Sequence, residues 1–133
     1  MATILAVDDD ADVLAVIRAT LGAAGHRVAE ARSAFEAIRR LGVAPFDLLL
    51  LDLVMPRLDG LSLAAQLRFD VRTRHIPILL VTGRSDIAAE FGNVRNVRGG
   101  LRKPFEPREL IRAVEEALTG PASTRWASAC RPR

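Results

Sequence analysis

Tyrosine is missing from this 133-residue chain altogether, and cysteine and tryptophan occur once each. A lone thiol, Cys130, can close no internal disulfide, which excludes a disulfide scaffold and suits a reducing compartment. No apolar run approaches the roughly 18 residues that cross a bilayer. Acids at Asp8, Asp9 and Asp10 arrive too early, and without a basic leader, for a secretory signal. With two histidines and one cysteine the chain has no zinc spacing. Aromatics make up 5% and rarely stand among the arginines, and no helix-turn-helix pattern appears. The sequence pI of 10.3 is therefore a weak argument for nucleic acid. The expectation is a soluble cytoplasmic protein with no membrane segment, in which a basic face aids solubility or meets a protein partner.

What is present is half apolar, with a mean hydropathy of +0.17, enough to build one real core. Charge is uneven. Residues 1–60 hold 6 basic and 9 acidic side chains (net −3), and residues 61–133 hold 13 and 7 (net +6). Of the 19 basic side chains only Lys103 is lysine. A compact ammonium kept in a chain otherwise committed to the planar guanidinium fork becomes informative if other chemistry lies beside it.

Branched apolar runs alternate with helical periodicity, the pattern of repeated βα units. Strands are expected at Thr3–Asp8, Arg27–Ala31, Phe46–Asp52, Ile76–Thr82 and Val97–Arg102. The first helix carries Val13, Ile17 and Leu21 and stops near Gly25. The second opens on the capping-box pattern Ser33-Ala-Phe-Glu36 and runs to Leu41. A third begins near Asp59 and uses Leu63 and Leu67, and a short fourth covers Asp86 to Phe91. The last starts at Pro107 and presents Leu110, Ile111, Val114 and Leu118. Residues 1–119 form one domain. Residues 120–133, GPASTRWASACRPR, lack an apolar period and read as a disordered tail, with docking through Trp126 as the alternative.

Five strands with intervening helices imply an α/β fold, a flavodoxin-like doubly wound parallel sheet in the order 2-1-3-4-5. In that order LLLLD at 48–52 makes sense: a strand covered on both faces is apolar throughout, and Asp52 emerges at its carboxyl end. The strand ends deliver Asp8 and Asp9, Asp52, Thr82 and Lys103 to one rim, beside the switch point where such sheets bind ligands. Two carboxylates about 4 Å apart repel by roughly 4 kcal/mol at an effective dielectric of 20, so three of them need a cation, or one must hold its proton. An oxygen-only donor set selects a hard ion, Mg²⁺, Mn²⁺ or Ca²⁺, and Mg²⁺ fits because it retains waters a phosphate oxygen can replace. Asp52 is then a candidate nucleophile for an acyl phosphate, with Thr82 and Lys103 facing the phosphate. Asp10 and Asp12 read as helix-capping acids.

VDDD at 7–10, LLLLDLVMPRLDG at 48–60, LLVTG at 79–83 and RKPF at 102–105 resemble the receiver domain of bacterial two-component response regulators over residues 3–119. The resemblance implies that Asp52 accepts a phosphoryl group from a histidine kinase or phosphotransfer protein. It implies that Asp9 binds Mg²⁺ directly, Asp8 through water and Val54 through its backbone carbonyl. Thr82 would turn toward the phosphoryl group, Lys103 would contact it, and the Lys103–Pro104 bond would be cis. Beyond its own phosphorylation and autodephosphorylation such a domain is not an enzyme. With no effector domain after residue 119, output is expected through an unidentified protein partner, or as a phosphate shuttle. The resemblance departs at Gly100, where family members commonly carry Tyr or Phe, and the 92–100 segment is about one residue short. A rearranging 92–102 segment is the expected substitute, while Val54 and Arg84 stand where the family tunes phosphoryl lifetime. Two other readings use the same residues: a partner-binding receiver without phosphorylation, and a Mg²⁺-dependent phosphatase of the haloacid dehalogenase type. The latter needs a second acid two residues after the nucleophile, where this chain has Val54. A nucleotide-binding module would need a glycine and hydroxyl loop where Asp8-Asp9-Asp10 stand.

Overall fold

A computed structural model describes residues 1–52, 66–67, 70–71, 73–83 and 97–119. The elements in chain order are β1 (Thr3–Val7), α1 (Ala11–Ala23), β2 (Arg27–Ala31), α2 (Ala34–Leu41), β3 (Leu48–Leu51), β4 (Ile78–Thr82), β5 (Val97–Arg102) and α3 (Pro107–Thr119). The strands form one parallel sheet in the order β2-β1-β3-β4-β5, the expected topology.

The four leucines of β3 alternate between two cores. Leu49 and Leu51 pack with Leu5, Val7, Ala34, Ala37 and Leu80 on one face. Leu48 and Leu50 pack with Ile4, Leu14, Ile17, Leu110 and Val114 on the other. Each is at most 1% exposed, and full burial of such a side chain stabilises by about 1.5–3 kcal/mol. The run is uniformly apolar because neither face of this central strand meets water.

Three strands are shorter than the sequence suggests. Asp47 stops β3 from starting at Phe46: its carboxylate accepts from the Thr3 N–H (2.8 Å) and its own N–H donates to the Thr3 carbonyl (2.7 Å). Ile76 belongs to a turn, donating to Thr73 (2.9 Å). Asp8 and Asp52 lie one residue past β1 and β3, still tied in by Asp8 N–H to Ala31 O (3.0 Å) and Asp52 N–H to Val7 O (3.1 Å).

Helix α1 is capped by Asp10, whose side chain accepts from the N–H groups of Asp12 and Val13. It ends as expected at Gly25, with φ of 96°. The Gly25 N–H donates to Gly22 O (3.0 Å) and the His26 N–H to Leu21 O (3.0 Å), the paired bonds of a Schellman ending. Its buried stripe is Leu14, Ile17 and Leu21, with Val13 at the margin.

Helix α2 buries alanines, Ala34 and Ala37, and leaves Ile38 39% and Phe35 73% exposed. Its Ser33 cap forms, but Glu36 reaches one residue further than a capping box requires, to the Arg32 N–H (2.6 Å). Helix α3 buries Leu110, Ala113, Val114 and Ala117, with Ile111 and Leu118 only partly covered.

The pairing of β5 with β4 slips register, Ile78 facing Val97 but Leu79 facing Gly99, and Gly99 adopts φ of 153°, a conformation that glycine takes without a Cβ penalty. The Lys103–Pro104 bond is cis. Gln66 and Leu67 are helical, and Leu67 is one of the residues the third expected helix uses. The start of that helix at Asp59 with Leu63, the short helix over Asp86–Phe91, and the segment 120–133 with Trp126 and Cys130 lie outside the described residues. Among the described residues no helix is long and apolar enough to cross a membrane.

Candidate metal and phosphoryl site at the sheet rim

The site follows from strand order. Val7 pairs with Leu51, so the residues just after them, Asp8 and Asp52, leave the sheet side by side. Asp9 is next along the chain, and α1 starts only after the Asp10 cap. One oxygen each from Asp8, Asp9 and Asp52 lies within 4.8 Å of the others. Asp8 is 2% and Asp52 6% exposed. Such burial is costly for carboxylates without compensation.

Lys103 supplies part of it. Its N–H groups donate to Asp8 Oδ2 at 2.6 Å and Asp52 Oδ2 at 3.3 Å. The loop is positioned by the Lys103 N–H donating to the carbonyl of Thr82 at 3.0 Å, which also fixes the end of β4 against the end of β5. Asp8 Oδ1 accepts from the Asp10 N–H at 2.9 Å.

One ammonium stands among three acids, and two of these groups, Asp8 and Lys103, are perturbed. Burial pushes Asp8 above the ordinary carboxylate range, aided by the charge of Asp52, although its bond from Lys103 pulls the other way. Burial pulls Lys103 down, but the hydrogen bond to Asp8 and the charges of both acids outweigh it and hold the ammonium above its usual range.

The donor set fits a hard divalent cation. All three ligands are oxygens, and neighbouring ligands of an octahedral Mg²⁺ at about 2.1 Å stand about 3 Å apart. A spread of up to 4.8 Å lets two acids bind directly while the third acts through water.

Of the residues expected from sequence, Asp8, Asp9, Asp52 and Lys103 meet in this cluster. Thr82 is the last residue of β4, 1% exposed. Val54 and Arg84 lie outside the described residues. Asp10 caps α1 and belongs to the fold, as expected. Gly100 is buried in β5 opposite Leu80, so no aromatic ring stands at that position. One residue escaped the sequence reading: Arg32, directly after β2, donates from Nη2 to the Asp9 carbonyl at 3.3 Å. Its only sequence signal is its place between a strand and a capping motif.

Comparison with known proteins agrees with this geometry. The model of the response regulator receiver domain matches residues 4–115. The phosphate regulon transcriptional regulatory protein PhoB of Pseudomonas aeruginosa is 34% identical over 128 residues, covering 92% of this chain and 55% of its own length. Protein PilH of the same species is 31% identical over 121 residues, covering 90% of this chain and 100% of its own. Among solved structures, the chemotaxis response regulator CheY4 of Vibrio cholerae superposes with a TM-score of 0.81 at 31% identity, covering 89% of this chain and 99% of that one. The chain spans about half the length of the first curated relatives it matches.

Proposed function

The chain belongs to the response regulator receiver domain family, and on that premise we propose that it is a Mg²⁺-dependent phosphoacceptor in which Asp52 takes the phosphoryl group. The observation that carries the reading is a single lysine bridging two buried acids, Asp8 and Asp52, with a third acid within ligand distance. The donor is the phosphohistidine of a sensor histidine kinase or a phosphotransfer protein. An Asp52 carboxylate oxygen attacks phosphorus, a P–O bond forms as the donor's P–N bond breaks, and the imidazole departs with the electron pair. Asp9 would hold the ion directly and Asp8 through water, and Val54, the further ligand that the resemblance implies, lies outside the described residues. Bound Mg²⁺ supplies charge that offsets the phosphoryl oxygens. Lys103 moves from its carboxylate contacts to a phosphoryl oxygen, and Thr82 donates its hydroxyl to another.

Phosphorylation adds about −1.5 to −2 charge at the rim. That charge biases β4, which ends on Thr82, β5, which ends just before Lys103, and α3, which packs against both, and a protein partner reads the change. The domain acts on itself alone, by phosphorylation and autodephosphorylation, and turns over no separate substrate. It works in the cytoplasm.

Acetyl phosphate with Mg²⁺, followed by intact mass, tests this. The wild type should gain one phosphoryl mass, and neither Asp52→Asn nor the wild type in EDTA should do so. If no divalent ion and no kinase yields the adduct, the domain is a partner-binding module only. Turnover of small phosphomonoesters would point instead to a phosphatase.

A further inference from the structure

We infer that Arg32 is a contact that captures and orients the phosphoryl donor, gripping its phosphoryl oxygens from the β2 side of the rim. The inference rests on the phosphoacceptor reading of Asp52 and adds to it a residue that the sequence motifs leave out.

Position comes first. Ala31 pairs with Val7 and accepts from the Asp8 N–H at 3.0 Å, so Arg32 begins beside Asp8 and Asp9. Adjacent strands are about 4.8 Å apart, which puts Arg32 one strand from Asp8 and two from Asp52, about 10 Å away. Its side chain leans toward the acids, since Nη2 donates to the Asp9 carbonyl at 3.3 Å. Its backbone is anchored as well, because Glu36 Oε1 accepts from the Arg32 N–H at 2.6 Å. That bond is the departure from an ordinary capping box, and it fixes the residue at the rim.

Chemistry comes second. Arg18 is matched by Glu30 at 3.3 Å, whereas among the described residues no carboxylate pairs with the Arg32 guanidinium. Arginine has five N–H donors, and the Asp9 carbonyl engages one nitrogen. The remaining face of the fork suits two phosphate oxygens at once.

Charge decides what it does. Three carboxylates and Lys103 sum to −2, and a bound divalent ion brings the rim to zero. A dianionic donor approaching such a rim meets no net attraction. Arg32 adds a positive charge on the β2 side of the rim, beside Asp9. Because Arg32 is exposed, its effect falls on capture and orientation of the donor and is screened by salt.

The test compares wild type, Arg32→Ala, Arg32→Lys and Arg32→Glu. Initial phosphorylation rates with acetyl phosphate at saturating Mg²⁺ are read by intact mass, at low and high ionic strength. Calorimetry gives the Mg²⁺ affinity of each. At low salt Arg32→Ala should be slower by about three- to tenfold, Arg32→Glu slower still, and Arg32→Lys intermediate. These differences should shrink at high salt, with Mg²⁺ affinity undiminished in every variant. A low-salt rate for Arg32→Ala equal to wild type overturns the inference. So does a loss of Mg²⁺ affinity that accounts for the slower rate, since Arg32 would then act only by holding Asp9. A wild type that accepts no phosphoryl group removes the phosphoacceptor reading itself and the inference with it.

Discussion

Replacing Lys103 by methionine removes the cation from two acids that are 2% and 6% exposed, and keeps the length of the side chain. Breaking a buried ion pair by deleting one partner costs about 3–5 kcal/mol. Two features lower that figure. The Lys103 side chain is 22% exposed, so water softens the loss. Asp8, already raised by burial, can also take up a proton and so shed part of the uncompensated charge. A loss of about 2 kcal/mol in EDTA is therefore expected, or about 8 °C in Tm for a domain of this size. Mg²⁺ should reverse most of it. At one hundred times Kd a ligand stabilises by about 2.7 kcal/mol, and the variant should bind the ion more tightly because no ammonium competes for the acids. Differential scanning fluorimetry of wild type and Lys103→Met, each in EDTA and across a Mg²⁺ series, measures both effects. Equal Tm values in EDTA, with equal Mg²⁺ shifts, would refute the view that Lys103 and a metal share the same carboxylates.

Four further outcomes follow from the geometry and can be read by denaturant melts or mass. Leu50→Ala, at a site 1% exposed between β1 and β4, should cost about 2–5 kcal/mol of unfolding free energy. Gly25→Ala should destabilise by about 1–2 kcal/mol although a Cβ there meets nothing within 4 Å, because φ of 96° is the whole penalty. Gly22→Ala, inside α1 with the same open surroundings, should instead stabilise by about 0.5–1 kcal/mol. Asp10→Ala should lower stability by about 1 kcal/mol through loss of the α1 cap, yet leave the acetyl phosphate adduct intact, separating it from Asp8 and Asp9.

The strand order and the rim were legible because burial on both faces leaves a clear mark. Leu48–Leu51 read as a central parallel strand, and the acid after it falls at that strand's carboxyl end. The convergence of Asp8, Asp9, Asp52 and Lys103 followed from that order, since each stands one or two residues past a strand. Helix faces were less legible. Ala34 and Ala37 form the buried side of α2 while Phe35 and Ile38 face outward, and alanine carries too little hydropathy to announce this. Asp47 gives no sequence sign that its carboxylate will bind the Thr3 N–H and delay β3. Arg32 was hidden for the opposite reason: in a chain whose basic residues are almost all arginine, one more draws no notice until its neighbour proves to be Asp9.

On the phosphoacceptor reading proposed above, the acids at this rim leave one reactive carboxylate, on Asp52, for phosphorus. Borohydride reduces an acyl phosphate to an alcohol, so a phosphorylated aspartate is recorded as homoserine. After acetyl phosphate and Mg²⁺ treatment, reduction and peptide mass mapping should find homoserine at position 52 and nowhere else, and none in EDTA. Homoserine at Asp8 or Asp9, or its complete absence despite a phosphoryl adduct, would contradict the account.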